Sequence, residues 1–383
     1  MAVGTGYSKI VTSGSVFMYD TGDTYNSYIG EPTTNYWDAV QYSIYNDGAT
    51  NIRNSTDVLP PIPGYEVVKV TANNIGTYGQ SILWKAPYPN NNVSIITNSV
   101  YAYLTVGNYV QVGQHWYPWY YGEPTYISKN QWVRISSTYT INEGNSYGVA
   151  ALTYSTNGIA YFAMPQFEYK THVTPFIGAN QTRSGTQGLI DISGNEVIPD
   201  ISSISYNNSA MFYFDGTDDQ IIMDSYASKI PYGGNITVES VVKFNAFSPN
   251  DVIVAYGGNN TNFGWLHQYE FTAGLMFGIQ NNPNYGTAGI GTSASQQYLN
   301  QYIHMVGVYN GSQVLLYINN VLVASQSYSS GIPQATTFRI GNESGRSYYS
   351  NMYLPVTKIY NRALSQSEIQ QNYLHYKTRF NLA

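Results

Sequence analysis

The chain has 383 residues, enough for two domains with a core each, yet only 10% of them are Asp, Glu, Lys or Arg. The net charge of −6 and the lack of any Lys/Arg cluster exclude a phosphate-binding footprint, so no nucleic-acid partner is expected. Cysteine is absent, which rules out disulfides, thiolate metal sites and a cysteine nucleophile, and no run of about 18 apolar residues predicts a membrane-spanning helix. Tyrosine, at 40 residues, takes over much of the surface role of Lys and Glu. With 35 Gly and abundant Asn and Ser, this composition describes an all-β chain with many turns.

Residues 1–35 are turn-rich and read as an extended segment with one strand, Ser15-Val-Phe-Met-Tyr-Asp20, ending in Gly30-Glu-Pro-Thr-Thr-Asn35. Met1 to Ile10 shows no basic region followed by an apolar core, so no signal peptide is expected. Across 36–180, short strands recur with turn signals between them. Tyr65-Glu-Val-Val-Lys-Val-Thr71 and Gln131-Trp-Val-Arg-Ile-Ser136 alternate, Val100 to Val112 is rich in Tyr and Val, and Gly158-Ile-Ala-Tyr-Phe-Ala163 closes the series. This spacing predicts a β-sandwich or jelly roll.

Residues 181–209, punctuated by Gly and Pro199, read as a linker, and 210–383 form the last domain. Its predicted strands include Met211 to Phe214, Gln220 to Met223, Asn235 to Phe244, Tyr302 to Tyr309, Thr337 to Gly341 and Tyr353 to Tyr360. Two apolar runs flank Asn319-Asn320, the non-glycine pair best suited to a left-handed hairpin turn, and this hairpin is expected to be central. A helix is predicted from Ser365 to Tyr376, capped by Ser365 and Glu368 and packed against the edge or end of the sandwich. The prediction is therefore all-β: two jelly-roll β-sandwich domains in tandem with one short C-terminal helix.

Hydrolysis of sugars needs two carboxylates about 5–10 Å apart, and no strand offers an acidic pair. Glu239 stands alone on its strand and reads as a solvated strand-face residue. The five His never fall at metal-ligand spacing, and no nucleophile elbow or phosphate loop occurs. Asp215, Asp218 and Asp219 could offer oxygens to calcium; the alternative is a turn in which Asp215 accepts backbone N–H groups. No other cofactor is expected. The positive signal is aromatic: Trp116, Tyr117, Trp119, Tyr120 and Tyr121 crowd around Pro118, too densely to alternate in a strand. Exposed rings of this kind either stack on sugars or fill a subunit interface, with Trp37, Trp265 and His267 as further candidates.

Phe214-Asp-Gly-Thr-Asp-Asp219, Asn235-Ile-Thr-Val-Glu-Ser240, Tyr302-Ile-His-Met-Val306, Leu316 to Ala324, Ile340-Gly341 and Lys358 to Ile369 follow one another in a specific order. This resembles the laminin-G-like, concanavalin-A-like jelly-roll family over roughly residues 210–376. The resemblance implies two curved antiparallel sheets but fixes no activity. Leu354-Pro-Val-Thr357 stands where the family has Gly-x-Ile-Asp, which removes an expected calcium ligand. Trp132-Val-Arg-Ile-Ser-Ser137, Ala163 to Glu168 and Thr174-Pro-Phe176 look like the carbohydrate-binding-module-like jelly rolls of tailed-bacteriophage particle proteins. Tyr19-Asp-Thr-Gly22, Gly30 to Asn35 and Leu189 to Asn195 resemble lectin-like proteins of large phages.

Together these imply a non-catalytic virion structural protein (head decoration, fibre or tail) on the outer surface of a phage particle. Its partners would be other virion proteins, further copies of itself and host-surface glycans. The alternatives are a bacterial cell-surface or secreted glycan-binding protein and, third, a glycoside hydrolase.

Overall fold

In a strand, successive side chains point to opposite faces, so alternation decides which residues enter the core. A computed structural model describes residues 9–37, 42–45, 49–72, 80–86, 95–114, 120–121, 123–140, 147–153, 157–206, 212–258, 262–281 and 284–383. The chain divides into two units, Thr33–Arg183 and the combination of Met1–Pro32 with Ser184–Ala383.

Among the described residues of the Thr33–Arg183 unit, two five-stranded antiparallel sheets form a sandwich. One runs in the order Trp132–Thr140, Ile95–Val106, Ile159–Glu168, Val67–Ala72, Ala49–Ile52. The other runs Tyr42–Tyr45, Gln80–Ala86, Tyr147–Thr153, Val110–Gln114, Tyr120–Tyr121. Val68, Val100, Leu104 and Phe162 of the first sheet meet Val110 and Val112 of the second in the core. Met164, at φ 56, opens a bulge between Ala163 and Gln166, where Met164 and Pro165 lie opposite the single residue Val100 of Ile95–Val106.

The other unit is a larger sandwich of an eight-stranded and a six-stranded sheet, counted among the described residues. Seven strands of the eight-stranded sheet run Ser205–Tyr206, Phe212–Asp215, Asn351–Tyr360, Ile236–Phe244, Ile303–Tyr309, Gln313–Ile318, Val321–Ser327, and the eighth, Ser15–Asp20, pairs with Asn351–Tyr360 off this path. Phe214, Val238 and Phe244 from this sheet pack against Val254, Trp265 and Phe277 from the other. The sheets approach closely at Gly307, where a β-carbon would sit 2.2 Å from the Phe277 ring. All-β jelly-roll architecture is thus observed, with a short helix at the C-terminus.

Several elements differ from expectation. The Ser15–Asp20 strand is no isolated segment: it pairs antiparallel with Asn351–Tyr360, and Phe17 and Tyr19 enter the core. Residues 184–206 are no mere linker either. Leu189, Val197, Ile201 and Ile204, spaced among the turn residues, contribute to the same core, and Asp191 accepts the Met18 N–H at 3.0 Å. Patterning names no strand between Phe244 and Tyr302, yet Asp251–Gly258, Asn262–Glu270, Gly274–Asn281 and Asn284–Gly289 form most of the six-stranded sheet.

The Asn319-Asn320 turn forms as predicted, both residues left-handed at φ 48 and 66. Its hairpin is peripheral, however, because Val321–Ser327 is the end strand of its sheet and is largely exposed. The helix runs Gln366–Phe380, with Ser365 as N-cap and the reciprocal bond to Glu368 in place. It covers the outer face of the eight-stranded sheet rather than an edge, packing Tyr373, Tyr376 and Phe380 on Val241 and Val356, and Ile369 beside Val306 and Val308. No helix of the described residues is long and apolar enough to cross a membrane.

Candidate functional site

In the Thr33–Arg183 unit, the parity that sends Val68, Val70, Ala102, Leu104 and Phe162 inward leaves alternate residues on the outer face of the same sheet. Register then aligns them across four strands. Trp132 stands opposite Tyr103, Tyr103 opposite Tyr161, and Tyr161 opposite Lys69. Ring centroids are 5.4 Å apart for Tyr103–Trp132 and 6.0 Å for Tyr103–Tyr161, and Lys69 Nζ lies 5.7 Å from the Tyr161 centroid. With strands about 4.8 Å apart, the row spans roughly 14 Å. Beside it, the Arg134 guanidinium lies 5.7 Å from the Tyr101 ring centre.

Residues 53–66 wall one side of this row and hold its side chains in place. Trp132 Nε1 donates to the Leu59 carbonyl at 2.7 Å, and Tyr161 OH donates to Asp57 Oδ2 at 3.1 Å. Lys69 Nζ donates to the same Asp57 oxygen at 2.6 Å; this bond and the one from Tyr161 hold the Asp57 carboxyl below the usual carboxylate range. Arg53 and Glu66 pair at the base of the loop at 2.6 Å. Trp132, Tyr103 and Tyr101 are each half-buried, so ring area remains open beside Leu59, which is 82% exposed. Rings fixed by hydrogen bonds at their rims are pre-organised for stacking against a flat apolar ligand face.

The residues singled out in the sequence fare differently. Trp116, Tyr117 and Trp119 lie outside the described residues. Tyr120–Tyr121 form a short strand paired with Val110–Gln114, described by backbone alone. Trp37 is half-buried and packs against the core of its unit. Trp265 and His267 must be withdrawn as surface candidates, since both are fully enclosed between the sheets of the larger unit. The His267 ring sits 6.1 Å from Phe277, and burial pulls its pKa down to about 3, so it is neutral. Strand parity placed them inward, in step with Tyr269.

Asp215, Asp218 and Asp219 do gather, with carboxylate oxygens within 4.8 Å of one another. Asp219 is buried, and its two oxygens accept the Ser205 and Asp215 N–H groups at 2.9 and 2.7 Å. Asp215 Oδ1 accepts the Thr217 N–H at 2.7 Å. Burial pushes Asp219 up to about 6, against the pull of these donors. The Asp215 and Asp219 carboxylates serve a turn, and a cation would have to compete there with its N–H groups.

Glu239 is the largest departure from expectation. It is not solvated but fully buried under the helix, 3.0 Å from Lys358 Nζ and 3.1 Å from His304 Nε2, and it accepts from Asn372 Nδ2 at 2.6 Å. Asn372 in turn accepts the Val11 N–H at 2.8 Å. Glu239 and its two ionisable partners come from three neighbouring strands and the amide from the helix. No substrate reaches Glu239 in this arrangement.

Residues 215–370 match the family model described as the concanavalin A-like lectin/glucanases superfamily, which supports a laminin-G-like, concanavalin-A-like jelly-roll domain over this segment. Among solved structures, the binding domain of Paraclostridial Mosquitocidal Protein 1 is similar at TM-score 0.41 and 18% identity, over 48% of this chain and 49% of that one. The botulinum neurotoxin serotype C1 binding domain gives 0.38 and 17%, over 50% of each chain. The binding domain of botulinum neurotoxin DC, solved in complex with SialylT, gives 0.38 and 17%, over 51% and 50%. The chain thus spans about half the length of these structures. The comparison with curated proteins yields no match.

Proposed function

We propose that this chain is a non-catalytic, glycan-binding structural protein of a tailed-bacteriophage particle, displayed on its outer surface. The observation that carries the glycan reading is the Trp132–Tyr103–Tyr161–Lys69 row, in which the 53–66 loop holds Trp132 and the buried Tyr161 by hydrogen bonds while the Trp132 and Tyr103 rings stay partly open to solvent. A lectin-like jelly roll in the same chain supports it. Single sites of this kind bind weakly, and many copies on one particle turn weak contacts into avidity. The virion setting is supported by the phage-like motifs at Gly30 to Asn35, Ala163 to Glu168 and Leu189 to Asn195. A binding role rather than hydrolysis is supported by the enclosure of Glu239.

The test is a glycan-array screen of the purified chain beside Trp132→Ala and a Trp116→Ala/Trp119→Ala double variant. Binding by the native chain that Trp132→Ala loses, with its thermal unfolding retained, supports the row as the platform. Binding lost only in the double variant would move the platform to residues 116–121, and no binding by any form would sink the glycan reading.

A further inference from the structure

The helix covers only part of the outer face of the eight-stranded sheet. Toward its C-terminal end, where Phe380 packs on Tyr302 at 5.1 Å, the sheet face carries a different set of side chains. Phe212, Phe214, Phe244, Met352 and Leu354 turn into the core, so strand parity sends Tyr213, Lys243 and Tyr353 outward. Register places Tyr213 opposite Tyr353 and Tyr353 opposite Lys243, while Tyr302 directly precedes Ile303, the partner of Val242. The Tyr213 and Tyr353 rings lie 5.0 Å apart at 34°. Lys243 Nζ sits 5.3 Å from the Tyr353 centroid and 5.8 Å from that of Tyr302. All four side chains are half-buried. One step along the strands, Asn245 Nδ2 donates to Asn351 Oδ1 at 2.9 Å, which adds amides to the same face.

A lysine flanked by ring faces is oriented but not neutralised. Among the described residues Lys243 has no carboxylate partner, and two acids of this sheet face are engaged elsewhere. Asp215 accepts the Thr217 N–H, and Asp20 pairs with Arg379 at 2.6 Å. The face therefore combines an unspent ammonium, a pair of tilted tyrosine rings and amide groups at hydrogen-bonding distance of one another. An apolar ligand face would use the rings and leave the ammonium idle, and a bare anion would leave the rings idle.

We propose that Tyr213, Tyr353, Lys243 and Tyr302 form a binding site for a saccharide that carries a carboxylate. The carboxylate takes Lys243, the apolar face of the sugar ring lies on Tyr353 and Tyr213, and sugar hydroxyls meet the tyrosine hydroxyls and the Asn245 and Asn351 amides. This site belongs to the larger unit and shares no residue with the Trp132 row, so either can fail alone.

The experiment titrates the full chain by calorimetry with digalacturonic acid, its dimethyl ester and sodium acetate. The ester keeps the rings and hydroxyls and removes the charge. Expected is binding of the acid at least tenfold tighter than the ester or acetate, lost at least tenfold in Lys243→Gln, retained in Lys243→Arg and unchanged in Trp132→Ala. Equal binding of acid and ester overturns the charge recognition, and acetate competing as well as the acid reduces the site to an adventitious anion contact. Undiminished binding in Lys243→Gln, or no binding of the acid to the native chain, overturns the site outright. If Lys243→Gln does not fold, the acid-to-ester ratio on the native chain still decides. Loss in Trp132→Ala alone would move the ligand to the other unit.

Discussion

Lys358 Nζ lies 3.0 Å from Glu239 Oε1, with both side chains sealed between the eight-stranded sheet and the C-terminal helix. The two sit directly opposite in register on neighbouring strands, and Asn372 ties the helix to the same carboxylate. Charges enclosed this way are costly to separate, because removing one leaves the other buried without a counter-charge.

Glu239→Gln is therefore expected to destabilise the larger unit by about 3–5 kcal/mol at neutral pH, measured by urea unfolding. Burial alone would raise the Glu239 pKa, but Lys358 and His304 overcome it and hold it down to about 2. The folded value lies below the unfolded value of about 4.3, so this stability is present above that pH and lost as pH falls toward 2. The gap between native chain and variant should close over the same range. A constant gap from pH 7 to pH 2 would contradict the ionised pair.

Asp251 shows the opposite sign. It is buried, Oδ2 accepts the Ser248 N–H at 2.6 Å, and Oδ1 has no hydrogen-bond partner among the described residues. Burial pushes its pKa up to about 7, with the Ser248 N–H pulling the other way. A folded pKa above the unfolded value of about 3.9 means stability falls as pH rises from about 4 to 7. Asp251→Asn should match the native chain near pH 4 and exceed its stability at pH 8 by on the order of 2 kcal/mol. Thermal unfolding at the two pH values checks this, and parallel pH profiles would refute it.

The hairpin turn separates two asparagines by role. Asn319 accepts the His304 N–H through Oδ1 at 2.9 Å, whereas Asn320 Oδ1 accepts from the exposed Gln366 Nε2 at 2.7 Å. Asn319→Ala loses that acceptor and leaves a β-carbon at a left-handed φ, a cost of about 1–2 kcal/mol in guanidinium unfolding. Asn320→Gly keeps the turn and should stay within about 0.5 kcal/mol of the native chain. Equal effects of the two changes would show that the Asn319 bond contributes nothing.

Asp219→Ala removes the acceptor of two backbone N–H groups and should lower stability by about 2 kcal/mol. Millimolar calcium is expected to leave the melting temperature of the native chain unchanged, because those donors already occupy the carboxylate. A rise of several degrees would restore calcium to the Asp215–Asp218–Asp219 turn.

What the chain states locally was legible in its residues. Ser365 and Glu368 cap a helix three residues apart, Asn319-Asn320 make a turn by their own backbone tolerance, and low charge with many Tyr and Gly implies sheets. The local signals ran out wherever two faces of one strand are both covered. Ile236–Phe244 is buried almost throughout because the second sheet lies on one side and the helix on the other, so Glu239 carries no mark of its burial. Asp251–Gly258 is likewise buried throughout, and Val252 to Tyr256 is a short apolar run without alternation.

The candidate sites depended on register between strands distant in sequence. Trp132, Tyr103, Tyr161 and Lys69 form one row only because four strands pair in that alignment, and a one-residue slip would turn each ring to the other face. Composition determined that this would be an all-β protein with aromatic, sparsely charged surfaces. Tertiary pairing alone decided which aromatics meet, which are enclosed, and which acid is paired, because those outcomes depend on contacts between residues that no local pattern links.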